Sequence, residues 1–193
     1  VQAMDSVKVF VYTASNIKIT EQHLTQSGTR WQCSVQVSPQ NNMRVVLVYF
    51  GGGVVRYLGE ATGVNVTVYS ATTVDVTVHY MGLSVSAPDS TGADVTVLWT
   101  SRPFATGYQL QEDTKSDFST ATQIYSGSDT TYTVSISGKT HGQVYYYRVR
   151  VVTAYGNGPW YSKGGASTTG NLPGTIIIDA PDLPDVPGGT EIS

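Results

Sequence analysis

The chain has 193 residues, with 11 Lys+Arg against 14 Asp+Glu and a formal net charge of −3. That balance argues against a nucleic-acid binder, which would show a basic excess. No window approaches the roughly 18 apolar residues of a membrane helix. Only 13% of the residues are charged, about half the usual share of roughly 25%. Valine, threonine, glycine and serine supply 90 of the 193 residues, and tyrosine adds 13. Val, Thr and Tyr suit the pleated, half-buried surface of a strand, so an all-β protein is expected. The length allows one large domain or two small ones. The opening at Val1, without a charged and then apolar leader, is expected of a processed or trimmed product.

Residues 1–82 read as a first β domain, sandwich-like and of immunoglobulin or jelly-roll type. Its expected strands are 6–14, 16–20, 30–37, 43–50, 54–58, 63–70 and 73–80. Alternation over 30–37 places Trp31, Cys33, Val35 and Val37 on one face, with Cys33 as a buried thiol. As the single cysteine, it allows no internal disulfide. Met43 to Phe50 is nearly continuous apolar chain, as expected of a central strand covered on both faces. Gly51-Gly52-Gly53 ends that strand in a turn. Val64, Val66 and Val68, then Val74, Val76 and Val78, alternate with polar residues, so 63–70 and 73–80 are expected to pair as a hairpin.

Residues 83–169 read as a second domain. Asp94 to Trp99 directs Val95, Val97 and Trp99 inward. Tyr108 to Gln111 forms the next strand, after a loop punctuated by Pro103 and Gly107. Thr131 to Ile136 alternates again. Tyr145 to Val151 sets Tyr145, Tyr147, Val149 and Val151 on one face and Tyr146, Arg148 and Arg150 on the other. A turn-rich loop, Tyr155 to Trp160, precedes a last strand near 162–169. The ordered set V-T-V-L-W, P-F-A-T-G-Y-Q-L-Q, T-Y-T-V-S and Y-Y-Y-R-V-R-V-V-T-A-Y-G resembles the fibronectin type III domain, over a little under half the chain. The resemblance implies a core role for Trp99 and a tyrosine corner at Tyr145, its hydroxyl bonding back to nearby backbone. It also implies a sandwich used for spacing, display and protein contact, without intrinsic catalysis. The Arg-Gly-Asp of adhesive members is replaced by Thr153 to Pro159, so adhesion by that motif is not supported.

Residues 170–193 read as an extended C-terminal arm. Thr175, Ile176, Ile177 and Ile178 open a short strand, 175–180, whose three isoleucines point to both faces and so demand cover. That cover is an open sheet edge or the interdomain groove of its own chain, or the edge of a neighbouring subunit by strand addition; in the last case the segment is an assembly strand. Beyond it comes an acidic, proline-rich stretch. Asp179, Asp182 and Asp185 read as a solvated acidic linker rather than as calcium ligands.

No catalytic constellation is visible. His23, His79 and His141 are isolated, with no metal-ligand spacing, and there is no nucleophile elbow. No enzyme activity, cofactor or metal is expected. Tyr155, Trp160 and Tyr161 could offer flat faces to a sugar, or could pack across the end of the sandwich. The sequence therefore points to a non-enzymatic structural or assembly protein, secreted or on the cell surface, with a virion as the alternative. Such a protein would be a spacer, or a subunit of a fibre or appendage, with protein partners or copies of itself. The second reading is a carbohydrate- or protein-binding accessory module.

Overall fold

A computed structural model of the chain describes residues 5–27, 30–86, 89–90, 94–135, 137–140 and 143–162. All regular structure among them is strand. The first half contains β1 (Ser6–Tyr12), β2 (Lys18–His23), β3 (Thr25–Ser27), β4 (Arg30–Gln32), β5 (Gln40–Gly51), β6 (Val54–Val66) and β7 (Val78–Tyr80). Five of these make one antiparallel sheet in the order β2-β1-β5-β6-β7, while β3 and β4 form a separate hairpin. The β5–β6 turn is Gly52-Gly53, with φ of 63° and 74°. Two successive positive-φ residues make the hairpin turn whose twist matches that of the flanking strands. Asp5 fastens this turn, its carboxylate accepting the Gly52 amide at 2.5 Å.

Period-2 alternation decides the two faces of this sheet. Val9 and Val11 join Met43 on one face, where Val35, Val37 and Leu24 partly cover them. Phe10 lies opposite Val46 on the other face, with Val48, Val55 and Leu58.

The second half contains β8 (Asp89–Ser90), β9 (Asp94–Leu98), β10 (Ala105–Asp113), β11 (Thr122–Gly127), β12 (Thr131–Ser135), β13 (Tyr146–Thr153) and β14 (Gly156–Asn157). Three strands, β12-β9-β8, make one sheet and four, β11-β10-β13-β14, make the other. This three-on-four arrangement is a fibronectin type III-like sandwich. Val95, Val97 and Trp99 from one sheet meet Tyr108, Leu110, Tyr147, Val149 and Val151 from the other. Each fully buried aliphatic or aromatic side chain contributes roughly 1.5–3 kcal/mol by leaving water.

The core does not divide at residue 82. One buried cluster runs from Phe10, Val46, Val48, Val55 and Leu58 through Met81 and Leu83 into Trp99, Leu110 and Val151. The first sheet covers its Phe10 face with the second half.

Several expectations need correction. The hairpin of 63–70 with 73–80 does not form. Instead β6 continues to Val66 and pairs with β5 along its length, from Gly51↔Val54 to Gln40↔Val66. Residues 67–77 are not strand, and only Val78–Tyr80 joins the sheet, opposite Tyr57, Leu58 and Gly59. The strand expected over 30–37 stops at Gln32, because β3 offers only three partners. Cys33 is exposed rather than buried, although Val35 and Val37 still turn inward. The expected strand of 162–169 lies almost wholly outside the described residues. The edge beside β13 is supplied by β14 and by a bridge between Tyr161 and Val149.

Candidate interaction site

The residues picked out as a ligand patch lie where β13 turns back, and different partners hold each of them. Tyr155 is half-buried, its ring 4.9 Å from that of Phe10 in the first half. Burial pushes its phenol well above the usual range; a hydrogen bond with Tyr12 raises it further, and the Arg44 cation opposes both. Tyr161 exchanges two 2.8 Å backbone hydrogen bonds with Val149, and its hydroxyl meets that of Tyr80. Burial first, and then Tyr80, push the Tyr161 phenol up to about 12. Two members of the patch thus bind the first half to the second.

Residues that sequence reasoning passed over complete this contact. Arg102 donates from Nε to the carbonyl of Gly82, on the chain that joins the halves. Gly156 (φ 133°) and Gly158 let β14 and its extension approach the first half closely. A Cβ on Gly158 would lie 2.6 Å from Val151 Cγ1 and 3.1 Å from the Met81 carbonyl oxygen. Arg44 stacks on Tyr12, 4.4 Å from its centroid, and pairs with Glu60 at 3.1 Å. It also borders a recess of about 500 Å³ with Thr13, Asn16, Asn42, Thr62 and Gly63. Glu60 already compensates the one cation there.

Trp160 occupies a different face. On the outer side of the four-stranded sheet, Gln109 is opposite Arg150 and Gln111 is opposite Arg148. Each arginine Nε donates to its glutamine Oε1 at 2.8 Å. Trp160 lies against both guanidinium groups, 4.8 Å from Arg148 and 4.4 Å from Arg150. Phe118 stacks on Arg148 at 4.6 Å. Its φ of 57° puts it in the left-handed region, at a cost of about 1–2 kcal/mol. Each such stack returns about 0.5–1 kcal/mol or more. Burial holds both arginines below their usual range. The sequence signal for this face was present in Arg148-x-Arg150 and Gln109-x-Gln111, which project outward from paired strands.

Trp99 is 5% exposed and packs between Tyr108 and Tyr125, with ring centroids 5.9 and 5.8 Å away. Tyr145 accepts the Thr140 amide at its hydroxyl, at 3.1 Å, and Lys139 lies 4.6 Å from its ring centroid. Thr175, Ile176, Ile177 and Ile178 lie outside the described residues. Among the described residues no three of His, Cys, Asp and Glu gather to hold a metal. Nor is any helix among the described residues long and apolar enough to cross a membrane.

No family model matches the chain, and no curated protein matches it. Solved structures similar to it include two fibronectin type III segments. One is a two-domain fibronectin type III segment of chicken tenascin, 18% identical over 84% of each chain, with a TM-score of 0.36. The other is the FN1–FN3 segment of chicken contactin, 14% identical, with a TM-score of 0.33; the match covers 80% of this chain and 52% of that one. The fold of the second half is carried by its own strand order and core.

Proposed function

We propose that the chain is a non-enzymatic structural and interaction module of a secreted or cell-surface protein, or of a virion. It acts as a stiff spacer whose edges and arm make protein contacts. The observation that carries this reading is the continuous core. Phe10, Val55 and Met81 of the first half share it with Trp99 and Val151 of the second. Arg102 on Gly82 and Tyr80 on Tyr161 tie the halves at the surface of the same contact. A joint of this kind resists bending, where tandem domains on a bare linker would move independently.

The finer part of the reading concerns assembly. Thr175, Ile176, Ile177 and Ile178 form the assembly strand, adding to an open sheet edge of a neighbouring copy. A head-to-tail contact of that kind does not close on itself and so builds a fibre.

Light scattering on a sizing column, with negative-stain imaging, tests this on the full chain and on a chain ending at Gly170. The expected result is polymers of the full chain and stable monomers of the shortened one. Monomers of equal stability in both would overturn the assembly role and leave the spacer alone.

A further inference from the structure

The net charge of the molecule lies outside the described body. Residues 1–162 carry ten acids and ten bases, whereas 163–193 carry Lys163 against Asp179, Asp182, Asp185 and Glu191. Within the body, Arg148 and Arg150 stand two residues apart on β13. Neither lies in an ion pair among the described residues. Their Nε groups are used by Gln111 and Gln109, and Trp160 and Phe118 shield their flat faces. Asp113 is the carboxylate that acts on Arg148. Its oxygens are already taken by Thr120 and by the Lys115 amide, at 2.7–3.1 Å. Arg148 therefore feels Asp113 without an ion pair to it, and Arg150, beside the same indole, is in no ion pair with a carboxylate among the described residues.

The arm has a matching pattern. Its acids fall at 179, 182 and 185, its prolines at 181, 184 and 187, and Ala180, Leu183 and Val186 fill the remaining positions. A polyproline helix has three residues per turn and rises about 3.1 Å per residue. In that conformation the acids share one edge about 9 Å apart, and the prolines share another. Aromatic-lined surfaces take proline edges of this kind.

Reach is not limiting. Ser162, two residues past Trp160, is the last described residue. The sixteen residues before Asp179 are rich in Gly, Ser and Thr. A Gly/Ser-rich chain of that length has an end-to-end distance of roughly 20–25 Å, which would hold the acids near the face at an effective concentration of about millimolar.

We infer that the 179–187 stretch docks on the arginine–tryptophan face of its own chain. Carboxylates of the acidic edge engage Arg148 and Arg150, and the proline edge lies against Trp160. The inference describes the unassembled chain, in which Ile176, Ile177 and Ile178 are not seated on another copy.

The test follows the Nε–H resonances of Arg148 and Arg150 and the indole N–H of Trp160 by NMR, in the full-length chain. The comparison is the full-length triple variant Asp179→Asn, Asp182→Asn, Asp185→Asn, whose changes fall outside the described residues. At low ionic strength the wild-type resonances are displaced from those of the variant. In about 1 M salt, where screening acts within about 3 Å, the two spectra converge. About tenfold dilution leaves the displacement unchanged, as an intramolecular contact requires. Superimposable spectra at low salt would overturn the proposal. So would a displacement that fades on dilution, because the arm of a second copy would then be the occupant.

Discussion

Phe10 and Val149 both face inward from strands that lie between two neighbours, yet they find cover in different ways. Val149 is covered from within its own half: β13 faces Val95 and Val97 of the opposing sheet. Among the described residues, Phe10 has no opposing sheet in the first half. Its ring lies on Tyr155, roughly 145 positions along the chain, and its cluster continues into Met81 and Leu83. The first half has a small second core of its own, around Val9, Val11 and Met43. The second half closes a complete sandwich, while the first completes its larger face only by leaning on the second. An interface of that kind belongs to folding as much as to shape.

The largest expected effect comes from removing that ring. Phe10→Ala should cost about 3–5 kcal/mol, the range for a buried phenylalanine. Denaturant unfolding should show the loss in a transition that carries both halves together. Gly158→Ala tests the joint from the other side. Its new Cβ meets the branched Val151 side chain and the Met81 backbone, so it should cost about 1–3 kcal/mol. Gly53→Ala, with nothing within 4 Å but a φ of 74°, should cost about 1 kcal/mol through backbone conformation alone.

Alkali provides a third test. Tyr155 and Tyr161 titrate above the ordinary phenol value of 10.0, Tyr161 at about 12. A folded-state pKa above the unfolded one means that the unfolded chain loses its protons first. The stabilisation is therefore complete below pH 10 and disappears as pH rises toward 12. Tyrosinate absorbance and circular dichroism should change together in that window, and Tyr161→Phe should separate part of the two signals. The smallest effect is expected far from the joint. Glu21, on the exposed edge strand β2, pairs with Lys8 and Lys18; Glu21→Gln should leave Tm unchanged within error, since exposed pairs of this kind add little.

How much of this could be read from the sequence follows from what alternation encodes. It reports which residues want burial, not what will bury them. Val95, Val97, Tyr147, Val149 and Val151 were legible because their cover lies in strands of the same pattern. Val74, Val76 and Val78 also turn inward as alternation says, yet Val74 and Val76 lie outside any ladder. Their expected partner, the chain around Val64 and Val66, is taken by β5. The contact of Phe10 with Tyr155 was illegible for the same reason, since a long-range pairing leaves no local period. Cys33 shows the complementary failure: the pattern ran on past the point where its ladder ended. In the candidate site, Trp160 was visible as an aromatic residue. Its setting required knowing that the returning chain lays Trp160 over Arg148 and Arg150.

The central claim is that the two halves are one body because the larger core runs through both. Differential scanning calorimetry tests it most directly, by comparing the calorimetric with the van't Hoff enthalpy of unfolding. A continuous core predicts one transition with the two enthalpies equal, and Phe10→Ala should lower it as a whole. Two separable transitions, with Phe10→Ala moving only one of them, would contradict it.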